Sequence, residues 1–275
     1  TKLVSVSCSG EVQAASMNFH KPKDLPRLMV APNGARRTKA DHPAIPVTIQ
    51  ETVETALACA AVGAQAMHLH VRDADQQHVL DAGLYREALQ ELGAAVPAMH
   101  FQITTEAVGR YTPEQMRRVA YDVMPPGISI GLLEIMPDRW PTPEDVRLYS
   151  ALREAGTRIQ HLLFFPEEVE LLARLVDAAD LPKDDIWCLF VIGHYTGRIS
   201  HPDLIQPFLD RLAEQSLDVD WAICAFAEEE NESLAKAVEM GGKLRVGFEN
   251  SLFMPDGTVA SDNAARVAAA NALFN

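Results

Sequence analysis

Two histidines flank a single leucine in the segment His68-Leu69-His70. Alternate residues of a β-strand point to the same face, so the two imidazoles can be directed at one point. A metal site needs such a convergence of nitrogen ligands. The alternative is that both rings are packed or hydrogen-bonded core residues, and the spacing alone leaves the two interpretations open.

A third metal ligand has to come from a distant part of the chain, and Glu249 is the best candidate. It lies just beyond an apolar run that ends at Phe248. Two histidines and one carboxylate leave a coordination position open for water or substrate, which is the arrangement of a catalytic zinc. Asp73 either orients one imidazole from behind or pairs with Arg72.

Polar side chains also follow other predicted strands at their carboxyl ends. This group contains Asn33, Arg36, Thr104, Thr105, Glu106, Glu134, Arg245 and Asn250. Taken singly, each could cap a loop or face solvent, but their shared position at strand ends indicates a functional face. Arg245 could bind a carboxylate through two hydrogen bonds, or form a structural ion pair with one of the many acids.

The elements that must position these residues are visible as short apolar runs separated by amphipathic segments. The predicted strands are 28–31, 66–71, 100–104, 128–133, 159–165, 186–192, 221–226 and 244–248. Helix starts are marked by the capping box at Thr48 and by threonine–proline pairs at Thr112 and Thr142. A final alanine-rich helix is predicted to begin at 261–263.

Repeated strand–helix units over about 250 residues are typical of a (β/α)₈ TIM barrel. A doubly wound sheet is the alternative, but no GxGxxG motif follows the first strand. We assign residues 27–275 to the barrel catalytic domain and 1–26 to an irregular N-terminal leader. The leader either closes one end of the fold or packs against a neighbouring subunit. In a barrel the first, second and eighth strands are adjacent, so His68, His70 and Glu249 would converge at the carboxyl-terminal face.

Composition narrows the possible partners of the protein. The chain of 275 residues carries a formal net charge of −14, which argues against binding nucleic acid or an anionic membrane surface. Its cysteines, Cys8, Cys59, Cys188 and Cys224, form no CxxC pair and predict reduced thiols in a cytoplasmic protein. No apolar run reaches the roughly 18–20 residues of a membrane span, and no signal-peptide pattern opens the sequence.

The strand-end motifs, in this order, resemble those of the β-keto acid cleavage enzymes, whose type member is 3-keto-5-aminohexanoate cleavage enzyme. The matching segments are Asn33-Gly34-Ala35, Thr38-Lys39-Ala40-Asp41-His42-Pro43, His68-Leu69-His70-Val71-Arg72-Asp73, Gln102-Ile103-Thr104-Thr105 and Arg245-Val246-Gly247-Phe248-Glu249-Asn250. The resemblance implies a zinc-bearing TIM barrel, usually a homotetramer. It also implies a retro-Claisen transfer in which a β-keto acid and acetyl-CoA give acetoacetate and a new acyl-CoA.

The same resemblance implies roles for individual residues. Zinc would be held by His68, His70 and Glu249, while Arg245 and Thr104 would bind and polarise the substrate. The other residues of these motifs that we expect to contact the substrate are Asn33, Arg36, Arg72 and Thr105.

The sequence departs from the type member at positions that concern the base and the substrate. Asn250 stands where the family has an aspartate base, so we expect Glu134 to take over proton transfer, with Glu106 as the rival. Glu134 itself stands at a position on the fourth strand where the family has a small residue with a hydroxyl group. Arg36 replaces a glutamate suited to an ammonium group, which predicts an anionic β-keto acid.

The loop after the seventh strand is acidic at 228–232, where a Gly-Arg-type segment is expected in the family. This difference leaves the use of CoA open, although the acidic run also suits a solvated helix start. The alternative function is a zinc-dependent paralogue that carries out hydrolysis or a C–C cleavage without CoA. A binding protein on a barrel scaffold is a third possibility, which the cluster of metal ligands and strand-end polar groups disfavours.

Overall fold

The computed structural model describes residues 18–194, 197–226 and 230–275. In these residues eight parallel strands form a closed barrel in chain order, and the first strand pairs with both the second and the eighth. The closure confirms the (β/α)₈ barrel and excludes the doubly wound sheet, whose edge strands do not meet.

The strands are short and almost entirely buried, as expected for a parallel sheet covered on its outer side by helices. They are β1 Leu28–Val30, β2 Ala66–Leu69, β3 His100–Thr104, β4 Gly127–Gly131, β5 Arg158–Leu163, β6 Ile186–Ile192, β7 Val219–Ala225 and β8 Lys243–Val246. Six strands, β1, β2, β4, β5, β7 and β8, end one or two residues earlier than predicted. His70 lies one residue beyond β2, and after Gly131 the chain turns directly into a one-turn helix.

The helices follow the strands and form the outer layer. They are α1 Ile49–Ala61, α2 Ala82–Ala95, α3 Pro113–Val123, α4 Leu132–Ile135, α5 Pro143–Glu154, α6 Glu168–Ala178, α7 Gln206–Glu214, α8 Glu230–Glu239 and α9 Asn263–Asn271, with 3₁₀ turns at Pro202–Leu204 and Ala272–Phe274. The helix starts predicted at Thr48, Thr112 and Thr142 are confirmed. Each is a capping box, because the threonine accepts from the backbone N–H of the third helical residue and the side chain of that residue accepts from the backbone N–H of the threonine. Asp262 caps the last of these α-helices.

The interior of the barrel has a polar and an apolar side. Alternation along β2, β3 and β8 turns His68, Gln102, Thr104 and Arg245 inward. On β5 to β7 most inward positions are apolar, with Gln160 and Asp220 as the polar exceptions. The apolar residues form a cluster of their own that contains Leu162, Trp187, Leu189, Val191, Ala222, Cys224 and Phe226. The site described below therefore has two chemically different walls.

Residues 18–26 close the amino-terminal end of the barrel. The backbone N–H of Leu25 donates to Asp220 over 2.7 Å, and the carbonyl of His20 lies 3.0 Å from Nδ1 of His100. Arg158 donates to the carbonyl of Lys23 over 2.7 Å. Leu25 is only 2% exposed and packs into the apolar cluster. This part of the predicted leader is thus a plug, and residues 1–17 lie outside the described residues.

Cys59, Cys188 and Cys224 are buried free thiols, as predicted, and Cys8 falls outside the described ranges. Among the helices that the structure describes, none has the length and apolar character needed to cross a bilayer.

Candidate active site

His68, His70 and Glu249 converge at the carboxyl-terminal mouth of the barrel. The Nε2 atoms of the two histidines are 3.0 Å apart. Oε2 of Glu249 lies 3.6 Å from Nε2 of His68 and 3.5 Å from Nε2 of His70. The three side chains offer ligand atoms that all lie within 4.8 Å of one another. The predicted trio is therefore brought together by adjacent strands.

Glu249 reaches the histidines because the turn after β8 lies against the loop after β1. Its backbone N–H donates to the carbonyl of Ala31 over 3.1 Å. Gly34 has a φ of +60°, and a Cβ at that position would lie 2.5 Å from Cγ of Glu249. A glycine is needed at position 34 both for the left-handed backbone and for this close approach.

The hydrogen bonds behind His68 set which ring nitrogen carries its proton. Nδ1 of His68 lies 2.9 Å from Oε1 of Gln102, whose Nε2 donates to Oε1 of Gln160 over 3.1 Å. Because the second bond fixes the orientation of the Gln102 amide, its oxygen faces His68. His68 then carries its proton on Nδ1 and turns the lone pair of Nε2 toward His70 and Glu249.

A similar series of hydrogen bonds orients His70. Nε2 of His78 lies 3.1 Å from the carbonyl of Glu106, so His78 donates there and offers Nδ1 as an acceptor. Nδ1 of His70 is 3.2 Å from Nδ1 of His78 and must be the donor in that contact. The Nε2 lone pair of His70 is consequently also directed into the site.

The trio fits a divalent cation. Burial lowers the pKa of His68 to about 4 and the pKa of His70 well below its usual value, so both rings are neutral ligands at neutral pH. Burial alone would raise the pKa of Glu249, but Arg245 and the two imidazoles hold that pKa well below its usual range. Oε2 of Glu249 is buried and accepts no hydrogen bond from the described residues.

The spacing of these ligand atoms also suits a metal. Ligands at zinc distances of 2.0–2.1 Å in a tetrahedron are about 3.3 Å apart. Two lone pairs that face each other at 3.0 Å beside a carboxylate repel one another unless a cation lies between them. With three protein ligands, a fourth position is left for water or substrate.

Arg245 forms an ion pair, one of the two roles left open by the sequence, and its partner is Glu249 of the trio. Its Nη2 donates to Oε1 of Glu249 over 2.9 Å and approaches Sγ of Cys224 at 3.5 Å. Nε and Nη1 are buried and lack a hydrogen-bond partner in the described part of the chain. Nε and Nη1 point from different edges of the guanidinium, so Nη1 alone is the donor available for an oxygen of a substrate carboxylate.

A cavity of about 110 Å³ adjoins the trio. Its lining includes six of the predicted site residues, which are His68, Thr104, Glu106, Glu134, Arg245 and Glu249. A smaller cavity of about 60 Å³ is lined by Asn33, Arg36 and Arg37 and shares Glu106, Phe226 and Glu249 with the first. Arg36 is exposed, so this second cavity leads from the metal ligands to the surface.

Glu106 and Glu134 are two acids with raised pKa values in the same cavity. Burial and the charges of Glu249 and Glu134 raise the pKa of Glu106 to about 8. Burial raises the pKa of Glu134 to about 7, against the N–H of Ala107, which donates to Oε1 over 3.2 Å. The positive charge of Arg36 opposes both increases. Both groups can therefore exchange protons near neutral pH.

The structure places Glu134 on the short helix α4 rather than on β4 itself, so it reaches the cavity from a turn. Glu106 is held by its own backbone, since its N–H donates to Oγ1 of Thr104 over 3.1 Å. Its Oε2 lies 3.7 Å from Nε2 of His70. Glu106 is thus closer to the metal ligands, and Glu134 lies further along the cavity wall.

Some predicted residues make structural contacts instead of lining either cavity. The guanidinium of Arg72 donates to the carbonyls of Asn33, Gly34, Arg37 and Gln76, so it holds the loop after β1 in place. A direct contact between Arg72 and substrate stays a prediction.

Three further residues also lie outside the two linings. Thr105 donates its hydroxyl to the carbonyl of Ser129 over 3.2 Å. Asn250 is buried, and neither polar atom of its amide has a hydrogen-bond partner in the described ranges. Asp73 neither orients an imidazole nor pairs with Arg72, because its Oδ1 accepts from the N–H groups of Asp75 and Gln77.

Two supporting residues were missed by sequence reasoning. Gln102 alternates with Thr104 on β3, and this spacing could have placed it on the inner face. His78 lies in the loop after β2, and no local pattern connects it with His70.

The acidic run at 228–232 only partly fits the prediction of a solvated helix start. A helix does begin at Glu230, but Glu230 is completely buried and pairs with the equally buried Arg266. Residues 227–229 fall outside the described residues, and Glu232 is exposed.

Comparison with known proteins adds to this geometry. Residues 27–275 match a family described as beta-keto acid cleavage enzyme. The 3,5-dioxohexanoate:acetyl-CoA acetone transferase of Paraburkholderia graminis is 25% identical over 271 residues, covering 87% of this chain and 86% of the relative. The 3-oxoadipate:acetyl-CoA acetyltransferase of Cupriavidus necator is 24% identical over 254 residues, covering 90% and 87%.

Among solved structures, a binary complex of ObcA with oxaloacetate has a similar fold. It aligns with a TM-score of 0.67 at 16% sequence identity over 82% of this chain. The chain spans 62% of the length of that protein. This likeness supports the barrel fold.

Proposed function

This chain belongs to the β-keto acid cleavage enzyme family, and on that premise we propose that it is a zinc-dependent acyltransferase that uses acetyl-CoA. In the proposed retro-Claisen transfer, the C2–C3 bond of a β-keto acid breaks and the C3 acyl group moves to the sulfur of CoA. The acetyl group leaves that sulfur and bonds to C2, which gives acetoacetate. Both relatives described above carry acetyl-CoA in their names, which supports this co-substrate.

The single observation that carries the proposal is the convergence of His68, His70 and Glu249 beside a cavity lined by Arg245 and two titratable glutamates. A zinc ion at the three ligands would supply Lewis-acid polarisation of the keto oxygen. The protein itself binds the acid, orients it and moves its proton.

Arg245 is proposed to bind the substrate carboxylate through Nη1, a donor that lacks a hydrogen-bond partner among the described residues. A charged guanidinium that is only 3% exposed binds a carboxylate strongly, because water does not compete. Thr104 lines the same cavity and is proposed to orient the acid with its hydroxyl. Together these groups hold C2 of the substrate beside the glutamates.

Glu134 is proposed to take a proton from C2 and to return it to the product. Its pKa of about 7 gives it a substantial ionised fraction at neutral pH, as a general base requires. Glu106 is the rival, with a pKa of about 8. The amide of Asn250 has no basic group that could take this role.

The substrate is proposed to be an anionic β-keto acid rather than an amine-bearing one. Arg36 lies at the outer cavity, where a positive charge disfavours an ammonium group on the substrate. Turnover of 3-keto-5-aminohexanoate should therefore be slower than turnover of a β-keto dicarboxylate. Faster turnover of the amine would count decisively against this role of Arg36.

We further propose a homotetramer in the cytoplasm. The family resemblance supports the tetramer, and the buried free thiols support a reducing compartment. Light scattering coupled to size-exclusion chromatography would measure the oligomeric state.

The decisive experiment combines metal analysis with an activity assay. Protein purified without added metal should contain about one zinc per chain, and it should form acetoacetate from acetyl-CoA and members of a β-keto acid panel. His68→Ala and His70→Ala should lose both metal and activity; retention of both would show that the metal site is wrong. Release of acetate without acetyl-CoA would instead identify the CoA-independent paralogue.

A further inference from the structure

We infer that the acyl group transferred by this enzyme carries a short, uncharged apolar substituent, bound against the wall formed by Leu162, Phe164, Val191 and Phe226. We call these residues the apolar wall. The inference rests on the proposed function and narrows its substrate class. It concerns the part of the acid beyond the keto carbon, which is the part that leaves on CoA.

The apolar wall is a direct result of strand alternation. Leu162 and Phe164 lie on the inward side at the end of β5, Val191 near the end of β6, and Phe226 just after β7. The same inward cluster continues below them through Leu189, Ala222 and Cys224. The cavity thus meets the apolar interior on this side and meets the metal ligands and Arg245 on the other.

The ketone geometry assigns each side of the cavity to one part of the substrate. The keto carbon carries only two chains, one leading through C2 to the carboxylate and the other being the acyl substituent. When the carboxylate binds Arg245 and the keto oxygen faces His68, His70 and Glu249, the acyl substituent is directed away from β2 and β8. The opposite wall is the apolar one on β5, β6 and β7.

Charged groups near the apolar wall are already engaged among the described residues. Arg198 donates to the carbonyls of Phe164, Val191 and Gly193, so its guanidinium fixes the loop. Arg36 lines the outer cavity together with Glu106 and Glu249. A carboxylate or ammonium on the acyl substituent would lose its water and meet an apolar surface instead.

His194 packs its ring beside the apolar wall and adds no positive charge to it. Its centroid lies 6.1 Å from that of Phe164 in a T-shaped contact and 6.4 Å from that of Phe226. Burial and the charges of Arg198 and Arg36 lower its pKa, which favours the neutral imidazole. A cavity of about 110 Å³ that must also hold the keto acid leaves room only for a short chain.

The test is a series of substrates in which the length of an uncharged alkyl chain increases. Two charged acids of the same length as one of the alkyl acids are included for comparison. The enzyme with zinc and acetyl-CoA is given 3-oxopentanoate, 3-oxohexanoate, 3-oxoheptanoate, 3-oxoadipate and 5-amino-3-oxohexanoate, and free acetoacetate is measured. The kcat/KM should rise about fourfold for each added methylene until the cavity is full. The alkyl acids should exceed both charged acids by at least about tenfold.

Variants of the apolar wall locate the effect. Val191→Ala should move the optimum to a longer chain, whereas Ile192→Val, on the outward face of the same strand, should leave the order of substrates unchanged. Phe164→Arg should raise the kcat/KM for 3-oxoadipate relative to 3-oxohexanoate.

Each outcome bears on a different claim. Acetoacetate formed faster from 3-oxoadipate than from every alkyl acid would overturn the inference and leave the proposed function standing. So would an unchanged chain-length order in Val191→Ala. Failure of all five acids to give acetoacetate would overturn the proposed function, and the inference with it.

Discussion

Glu134 and Glu106 differ in their distance from the metal ligands, although they face the same cavity. Glu106 lies 3.7 Å from His70, whereas Glu134 is held by the N–H of Ala107 on the other side. A base that acts on C2 should be near the substrate without competing for the metal. Glu134 meets this condition better.

Exchange of Glu134 for glutamine tests the base directly. Glu134→Gln keeps the shape of the side chain and removes the basic oxygen, so kcat should fall by roughly 10²–10⁴. Steady-state kinetics with parallel zinc analysis should show an unchanged metal content. A loss under about tenfold, beside a large loss in Glu106→Gln, would move the role to Glu106. Asn250→Asp in the Glu134→Gln background is the companion test, since a restored rate would show that both positions supply one function.

The pH dependence of kcat/KM separates the same two residues. A base is active when ionised, so the rate should rise with pH through about 7, the pKa of Glu134, and then level off. A rising limb centred at about 8 would identify Glu106. The limb near 7 should disappear in Glu134→Gln; if it remains there, another group is responsible.

The hydrogen bonds that join His68 to Gln102 and Gln102 to Gln160 should affect the affinity for metal. Gln102→Leu removes the acceptor that keeps the Nδ1 proton in place, and the affinity for zinc should fall about 10–100-fold. Gln160→Leu should give a smaller loss, because it only frees the Gln102 amide to rotate. Competition with a chromophoric chelator measures both values. Unchanged affinity in Gln102→Leu would mean that the ring orientation is set by packing alone.

At the scale of elements, the two ends of the barrel have separate tasks. Residues 18–26 fill the amino-terminal end, where Leu25 enters the apolar cluster below the active site. The loops at the other end carry the proposed active site. This division is usual in barrels, in which one face supports stability and the other function.

Because residues 18–26 fill the end of the barrel opposite the proposed metal site, truncating a buried side chain in them should lower the stability of the protein without loss of metal. Leu25→Ala should lower the free energy of unfolding by about 2–4 kcal/mol, because it leaves a cavity among buried side chains. Leu57 on α1 is 49% exposed, so Leu57→Ala should change stability by no more than about 0.5 kcal/mol. Urea denaturation compares the two, and zinc content should remain that of the wild type. Equal stability of both variants would show that residues 18–26 do not seal the barrel.

At the scale of the whole molecule, barrel closure joins distant parts of the chain through the proposed metal site. β8 pairs with β1, and β1 pairs with β2, so Glu249 meets His68 across the seam. A metal bound there links β2 to the turn after β8, across β1. It should stabilise the folded chain as a whole.

Metal removal should therefore lower the melting temperature. At free zinc about 1,000-fold above its Kd, binding contributes about 4 kcal/mol. For a chain of this size that corresponds to roughly 8–16 °C. Differential scanning calorimetry of chelator-treated and zinc-restored protein measures the shift, and His68→Ala should show none. An unchanged Tm after complete zinc removal would contradict a link between the strands.

The sequence by itself determined the features that depend on local spacing. The capping boxes at Thr48, Thr112 and Thr142 could be predicted because a capping box is formed within four residues. The alternation of apolar runs predicted the strands, and two histidines at strand spacing predicted two of the three proposed metal ligands. Glu249 followed once the barrel was assumed, since closure makes β1, β2 and β8 neighbours.

Only the tertiary structure decided which distant partner each polar side chain contacts. Arg245 pairs with Glu249, Arg72 holds the loop after β1, and His78 supports His70, although each could have served elsewhere. The apolar wall was likewise not predicted, because a buried parallel strand is apolar on both faces and its sequence does not show which side faces the cavity. Spacing along the chain fixes the direction of a side chain within its own element, whereas its partner depends on closure and register, which are set by contacts between elements far apart in sequence.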